Sequence, residues 1–287
     1  TRKSKKKFLI KVRKRFSKSL QKKIIFDLNK ITLKNKNFSN LNFQKLPNIM
    51  GVLNLTPDSF SDGGKFNKTK KGIKHAFEMI RDGANIIDVG GESTRPGSKT
   101  VNPKNEWNRI YRILRSVSKK VTVSLDTRKS EIMEKGIKLG VKIINDVSGL
   151  NYDKKTLDIL KKYQIPFVIQ HSKGTPENMQ IKPTYKNELI EIYDFFEKKI
   201  KTLRSIGIKH SNIILDPGIG FGKNLKHNMN LISKISIFHS LGFPILVGNS
   251  RKRFIKEIAK KNDSKNRIGG TVASSIYLMM QGVQILR

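Results

Sequence analysis

Eight short apolar runs, spaced about 30 residues apart and alternating with segments of helical period, constrain the fold of this chain most strongly. Each run is rich in Val and Ile and ends in polar or glycine-containing sequence. Runs that are apolar on both faces are typical of buried parallel strands, and their alternation with helices predicts βα units. The runs are Ile49–Leu55, Ile86–Gly90, Val121–Leu125, Lys142–Val147, Pro166–Gln170, Ile213–Leu215, Pro244–Val247 and Val283–Leu286.

Eight such units favour a closed (β/α)8 TIM barrel, an α/β fold, over an open doubly wound sheet. A dinucleotide-binding sheet would carry a Gly-x-Gly-x-x-Gly turn after its first strand, and the sequence has none there. The predicted helices are Lys71–Asp82, Glu106–Ser118, Ser130–Leu139, Lys155–Tyr163, Lys186–Ile206, Asn228–Ile237 and Gly270–Gln281.

Composition narrows the class of protein further. Cysteine is absent, which rules out disulfides and Cys-ligated metals. The sequence contains neither a signal peptide nor an apolar run near the roughly 18 residues that span a bilayer, so we expect a cytoplasmic protein without a membrane partner. The formal charge of +37 is spread over the whole chain, and an AT-rich coding sequence produces such a Lys, Asn and Ile content. We therefore expect anionic substrates rather than a nucleic-acid partner.

Residues 1–46 form a basic leader that precedes the barrel domain at residues 47–287. Lys and Arg are dense up to Lys23, with short apolar pieces between them. A flexible leader, or a small hairpin that covers one end of the domain, is the favoured interpretation. A basic arm for nucleic acid or membrane is the alternative.

Polar side chains follow all eight predicted strands. A parallel barrel brings these strand ends to one rim, where active sites of this fold lie. A single Asp after a strand is commonly a helix N-cap, and Asp58 or Asp146 can be no more than that. The same feature at every strand favours a site. The strand-end residues are Asn54, Asp88, Asp126, Asn145, Asp146, His171, Asp216, Ser250, Lys252 and Arg287.

The chemistry of these residues suggests what the rim binds. Asp126, Asn145 and Asp216 offer donors and acceptors to a planar heterocycle, and Lys252 is placed to bond a ring carbonyl or nitrogen. Residues 250–252, with the Arg at position 287, supply cations near a frequent phosphate locus of this fold. Asn54 is an oxygen ligand suited to Mg²⁺.

Two long motifs resemble the signatures of the dihydropteroate synthases. Residues 50–64 read MGVLNLTPDSFSDGG and residues 87–97 read IDVGGESTRPG. Four shorter matches follow in the expected order, and the resemblance runs from about residue 48 to the last residue. The shorter matches are Asp126-Thr127, Asn145-Asp146-Val147, residues 215–223 (LDPGIGFGK) and Ser250-Arg251-Lys252.

The resemblance implies a transferase of folate biosynthesis, a homodimer that condenses 6-hydroxymethyl-7,8-dihydropterin diphosphate with 4-aminobenzoate. It implies that Asp126, Asn145, Asp216 and Lys252 hold the pterin and that Asn54 binds Mg²⁺. Catalytic roles are implied for Asp126, Asp216, Lys252 and Arg287. It also implies that the 4-aminobenzoate site is shaped by Thr94, Arg95, Pro96, Phe221, Lys252 and the backbone of Ser250.

Two departures from the family pattern stand out. Ser172 lies where the family usually has Met, and the chain stops at Arg287, before the family's final His-containing stretch and helix. We therefore expect a barrel without its last helix, in a sequence that is C-terminally incomplete, and an exposed apolar strip where that helix would pack. Two alternatives remain at this stage: a pterin-dependent methyltransferase-type barrel, and an inactive basic binding paralogue.

Overall fold

The computed structural model describes residues 9–10, 12, 15–32, 37–38, 41–42, 47–56, 65–93, 98, 100–174, 183–260, 263 and 265–287. Within them, eight parallel strands form one sheet in the order β6-β5-β4-β3-β2-β1-β8-β7. A further parallel bridge, between Leu215 and Ile245, joins the two ends of that order and closes the ring. The strands β1 to β8 are Asn48–Asn54, Ile86–Gly90, Val123–Asp126, Ile143–Asp146, Phe167–Gln170, Ile213–Asp216, Leu246–Val247 and Ile285–Leu286.

One helix follows each of the strands β1 to β6, and two helices lie between β7 and β8, so the predicted (β/α)8 barrel is confirmed. The strands β2 to β6 are buried along their whole length, because the barrel interior covers one face and the helices cover the other. The helices α1 to α8 are Lys65–Arg81, Pro103–Val117, Ser130–Lys138, Thr156–Tyr163, Glu188–Ser205, Leu225–Ser233, Arg253–Ala259 and Ile268–Met280. Short 3-10 turns are formed by His210–Asn212, Ile235–Leu241 and Lys265–Arg267.

Some predicted boundaries were wrong. The segment predicted as one helix at 228–237 is α6, which begins after a capping box made by Asn224 and His227, followed by the 3-10 turn Ile235–Leu241. The helix α7 was missed because it has only seven residues, and it is anchored by the buried side chains of Phe254 and Ile255.

The basic leader contains a helix and a short strand pair, although its dense lysines and arginines gave no clear periodic pattern. A 15-residue helix, Lys18–Thr32, contacts the 3-10 turn Ile235–Leu241 on the barrel. After it, Asn37–Phe38 and Leu41–Asn42 form an antiparallel pair.

Two apolar side chains of β1 remain partly exposed: Ile49 is 41% and Val52 is 36% exposed. Val52 pairs in register with Asp88, whose side chain lies in the barrel interior, and Ile49 lies on the opposite face of the strand. No helix in the described part of the chain is long and apolar enough to cross a membrane.

Candidate active site

Four of the predicted site residues, Asn54, Asp126, Asn145 and Asp216, form one layer across the carboxyl ends of the strands. Asn54 pairs in register with Gly90, Gly90 with Asp126, and Asp126 with Asn145. Further round the barrel, Asp216 occupies the last position of β6. The register therefore brings residues more than 160 positions apart to the same level of the barrel mouth.

Gly90 has a steric role in this layer. A Cβ at this position would lie 3.4 Å from Asn54 Oδ1 and 3.4 Å from Asp126 Cβ. A side chain here would therefore fill the space between the two neighbouring polar groups. Its absence keeps the mouth open next to Asn54.

Arg287 binds two carboxylates at the centre of the mouth. Its Nε lies 2.6 Å from Asp88 Oδ2, and one terminal guanidinium nitrogen lies 2.8 Å from Asp126 Oδ2. Asn145 Nδ2 donates to the same Asp88 oxygen over 3.0 Å. Because all four side chains are largely buried, their hydrogen bonds act in a low-dielectric environment and fix their orientations.

Several buried polar atoms of this network, and of the neighbouring Gln170, have no hydrogen-bond partner within the described residues. They are one carboxylate oxygen each of Asp88 and Asp126, the amide oxygen of Asn145 and the amide nitrogen of Gln170. A buried polar group without a hydrogen bond costs about 1–3 kcal/mol. A planar ligand with both donors and acceptors on its edge would satisfy these atoms, which is the strongest structural sign of a binding site.

Burial also perturbs the titration of the acids. Burial and the nearby Asp88 raise the pKa of Asp126 above its ordinary range, against the opposing effect of Arg287. Burial likewise raises the pKa of Asp216, whose Oδ1 accepts a 2.8 Å hydrogen bond from the Gly218 backbone. A ligand that donates N–H groups to these carboxylates would offset the cost of keeping them charged.

Lys252 lies at the other side of the mouth, at the N-cap of α7. Its Nζ is 4.2 Å from the centre of the Phe221 ring, which is a cation–π distance. Burial and the positive charge of Arg287 lower its pKa to about 8. An aromatic face next to a cation suits an aromatic substrate that carries a carboxylate.

Few or no contacts define the positions of the remaining predicted residues. Ser250 is exposed in the turn after β7. The predicted contacts of Thr94, Arg95 and Pro96 lie outside the described residues. Ser172, the departure from the family pattern, hydrogen bonds only weakly, over 3.3 Å, to the Gly174 carbonyl.

The structure brings to the mouth three residues without a binding role predicted from the sequence: Asp88, which was named only as a strand-end residue, Gln170 and Lys223. Asp88 lies two positions before the end of β2, on the inward face, and its partner Arg287 is 199 positions away. The available signal was an Asp inside an apolar strand, since a buried acid requires a partner.

Asp146, at the end of β4, tests how strongly burial shifts the pKa of an acid at the strand ends. Burial raises its pKa from 3.8 to about 6, against opposing hydrogen bonds from Ser148. A carboxyl with a higher pKa in the folded state binds its proton more readily there. The protonated carboxyl of Asp146 therefore stabilises the folded state fully below the unfolded pKa. This stabilisation is lost as the pH rises through about 6, and the free energy of unfolding falls by about 3 kcal/mol.

We expect Asp146→Asn, which keeps an oxygen acceptor for Ser148, to raise the free energy of unfolding at pH 8 and to change it little at pH 4. Urea denaturation at the two pH values measures this difference. An equal effect at both values would contradict the burial argument.

Together, the fold and this geometry define a barrel enzyme whose mouth binds a planar, hydrogen-bonding ligand beside an aromatic–cation subsite. The comparisons with known proteins agree. The family described as pterin binding enzyme matches residues 50–287. Dihydropteroate synthase of Escherichia coli (strain K12) is 40% identical over 243 residues, which cover 84% of this chain and 86% of that protein.

Solved structures agree as well. Dihydropteroate synthase of Yersinia pestis, solved with a sulfonamide drug complex, has a TM-score of 0.80 and 37% identity, covering 86% of this chain and 90% of that one. The Xanthomonas albilineans synthase with 4-aminobenzoic acid has a TM-score of 0.80 and 32% identity, covering 86% and 88%. The chain therefore belongs to the dihydropteroate synthases, within the pterin-binding enzymes, and is a transferase of folate biosynthesis. The family resemblance is confirmed, and the comparisons favour it over the methyltransferase alternative.

Proposed function

We propose that this transferase joins 6-hydroxymethyl-7,8-dihydropterin diphosphate to 4-aminobenzoate, giving 7,8-dihydropteroate and pyrophosphate. The bond between the pterin methylene and the diphosphate oxygen breaks, a C–N bond forms, and the arylamine loses one proton. The observation that carries the proposal is the set of unpartnered buried atoms on Asp88, Asp126, Asn145 and Gln170. Their mixture of donors and acceptors fits the edge of a pterin ring.

Asp126, Asn145 and Asp216 would bind this edge of the pterin through hydrogen bonds, and Lys252 would donate a hydrogen bond to the ring. The carboxylates of Asp126 and Asp216 would also stabilise positive charge that develops on the pterin methylene as the leaving group departs. Because the arylamine is already a neutral nucleophile, little acid–base help is required. We therefore expect a dissociative substitution without a covalent enzyme intermediate, and trapping of a pterin adduct on a side chain would contradict it.

The cations of the mouth would bind the anionic groups. Arg287, held by two carboxylates, would flank the pterin and the departing diphosphate. Phe221 and Lys252 would form the 4-aminobenzoate subsite with the Ser250 backbone, and residues 94–96 would complete it. A test of the whole scheme is pyrophosphate release, which should require both substrates. Release that is independent of 4-aminobenzoate would indicate hydrolysis instead.

Mg²⁺ is the cofactor that we propose, with Asn54 as its protein ligand. Asn54 ends β1 beside the open position at Gly90. Mg²⁺ in phosphate-transferring sites commonly takes one or two protein oxygens, with phosphate and water completing its shell. That arrangement is compatible with the described residues, which contain no group of three or more His, Asp or Glu side chains arranged for a metal. Bound Mg²⁺ would neutralise charge on the diphosphate.

Removal of divalent metal by a chelator is expected to lower the rate by at least about 100-fold, and added Mg²⁺ should restore it. Asn54→Leu should raise the Mg²⁺ concentration required for half-maximal rate. Asn108→Leu, on the exposed face of α2, should leave that concentration unchanged. Full activity in the presence of chelator would refute the metal assignment.

A homodimer through α8 is also proposed. Ile268, Val272, Ile276 and Met280 follow one another at four-residue spacing and are 49–75% exposed, so they form an apolar stripe along the helix. Beside it lies an apolar groove of about 410 Å³ between α6, α7 and α8. Exposed stripes of this kind mark protein interfaces. Sedimentation velocity should show a dimer that Val272→Glu converts to a monomer. A cytoplasmic location stays a prediction.

A further inference from the structure

Lys223 is a buried lysine whose partners are not carboxylates. It lies at the end of the loop after β6 and is 2% exposed. Its Nζ lies 2.8 Å from the carbonyl oxygen of Phe221, 3.1 Å from His171 Nδ1 and 3.4 Å from the carbonyl oxygen of His171. A buried ammonium is costly, so this placement requires a compensating role.

The three partners match the three N–H donors of an ammonium group. An ammonium accepts no hydrogen bond, so His171 Nδ1 accepts and the ring carries its proton on Nε2. Burial, and then the positive charge of Lys223, hold the pKa of His171 well below its usual range, which keeps the ring neutral. Lys223 therefore joins the loop after β6 to the end of β5 through three hydrogen bonds.

The loop that Lys223 holds lies directly on the end of β5. Gly218 has a φ of +69°, and a Cβ there would lie 2.0 Å from the carbonyl oxygen of His171, so only glycine fits this approach. Farther along, the hydroxyl of Tyr185 donates to the Gly222 carbonyl over 2.9 Å. These contacts fix both ends of the loop, and Phe221 lies between them.

We propose that Lys223 is a positioning residue for the arylamine subsite, because it holds the Phe221 carbonyl and so sets the place of the Phe221 ring beside Lys252. The inference rests on the proposed role of Phe221 in binding 4-aminobenzoate. The direct polar partners of Lys223 do not include Asp126, Asn145 or Arg287. Removal of the ammonium should consequently affect the arylamine more than the pterin.

The protonation of Lys223 offers a readout that a purely structural role would not move. Burial, with Lys252 and Lys173, lowers its pKa to about 7, against the opposing effect of Asp216. Above this pH the neutral amine has two N–H donors for three acceptors. The KM for 4-aminobenzoate should then rise as the pH increases from about 6 to 8. The charged and titratable groups that face Lys223 are His171, Lys173, Tyr185, Asp216, His227 and Lys252.

The test is steady-state kinetics of the full chain and of Lys223→Met. We expect the KM for 4-aminobenzoate to rise about tenfold, the loss expected for one hydrogen bond to a charged group. The KM for the pterin diphosphate and kcat should change less than about twofold. The rise in KM that is centred near pH 7 should disappear, while any rise that comes from Lys252, whose pKa is about 8, should remain. Lys226→Met, on the exposed surface three residues along, should match the parent.

Folding is separated from positioning by melting temperature and by a second variant. Lys223→Met should still unfold cooperatively well above the assay temperature, although at a lower melting temperature than the parent, because it leaves the His171 and Phe221 acceptors without their donor. Lys223→Gln retains an amide donor and should give an intermediate KM. Equal changes in both KM values, or none in either, would overturn the proposal. A parent protein that forms no dihydropteroate would refute the proposed function instead.

Discussion

Arg287→Met is expected to destabilise the protein by about 3–5 kcal/mol at pH 7, the usual cost of removing one partner from a buried ion pair. The variant leaves Asp88 and Asp126 buried side by side without their shared cation, and both carboxylates are at most 3% exposed. Catalysis should fall as well, because the same guanidinium would flank the diphosphate. Urea denaturation measures the stability, and the initial rate of pyrophosphate release measures the activity.

Two controls separate charge from packing. Asp88→Asn combined with Arg287→Met removes one acid together with the cation and should recover at least half of the lost stability. Arg253→Met breaks an exposed pair with Glu257 on α7 and should cost less than about 1 kcal/mol. A loss below about 1 kcal/mol for Arg287→Met would mean that the network does not stabilise the mouth.

Lys252→Ala should lower kcat/KM by about 100- to 1000-fold, as the loss of one group that stabilises a transition state commonly does. Lys252 is the cation next to both the Phe221 ring and Asp216. Its removal should therefore weaken the binding of both the pterin and the arylamine. Steady-state kinetics with each substrate varied in turn would show both effects.

The matched control is Lys256→Ala, which removes an exposed lysine one turn along α7. It should keep the parental kinetics within about twofold. If Lys252→Ala retained full activity, the assignment of the pterin and arylamine subsites to this side of the mouth would be wrong.

The fold was largely predictable because hydrophobic periodicity is a local property. Parallel strands buried on both faces read as continuous apolar runs, and all eight were found within a few residues of their ends. The helix Lys18–Thr32 was missed because its dense lysines hide an amphipathic pattern, and the barrel contact that helps to hold it is non-local.

The site was predictable only in part. Asn54, Asp126, Asn145 and Asp216 were found because the fold itself places strand ends on one rim. Which of these side chains bond to each other depends on register and rotamers, which the sequence does not state. The role of Lys223 could not be predicted either, because its hydrogen bonds join the loop after β6 to the end of β5, which is distant in sequence.

This barrel mouth is proposed to condense a pterin diphosphate with an arylamine. The most direct measurement is mass spectrometry of the products formed by the full chain with Mg²⁺, the pterin diphosphate and 4-aminobenzoate labelled with ¹⁵N in its amine. We expect 7,8-dihydropteroate that carries the label, together with pyrophosphate in equal amount. Formation of unlabelled 6-hydroxymethyl-7,8-dihydropterin alone, or of no product, would contradict it.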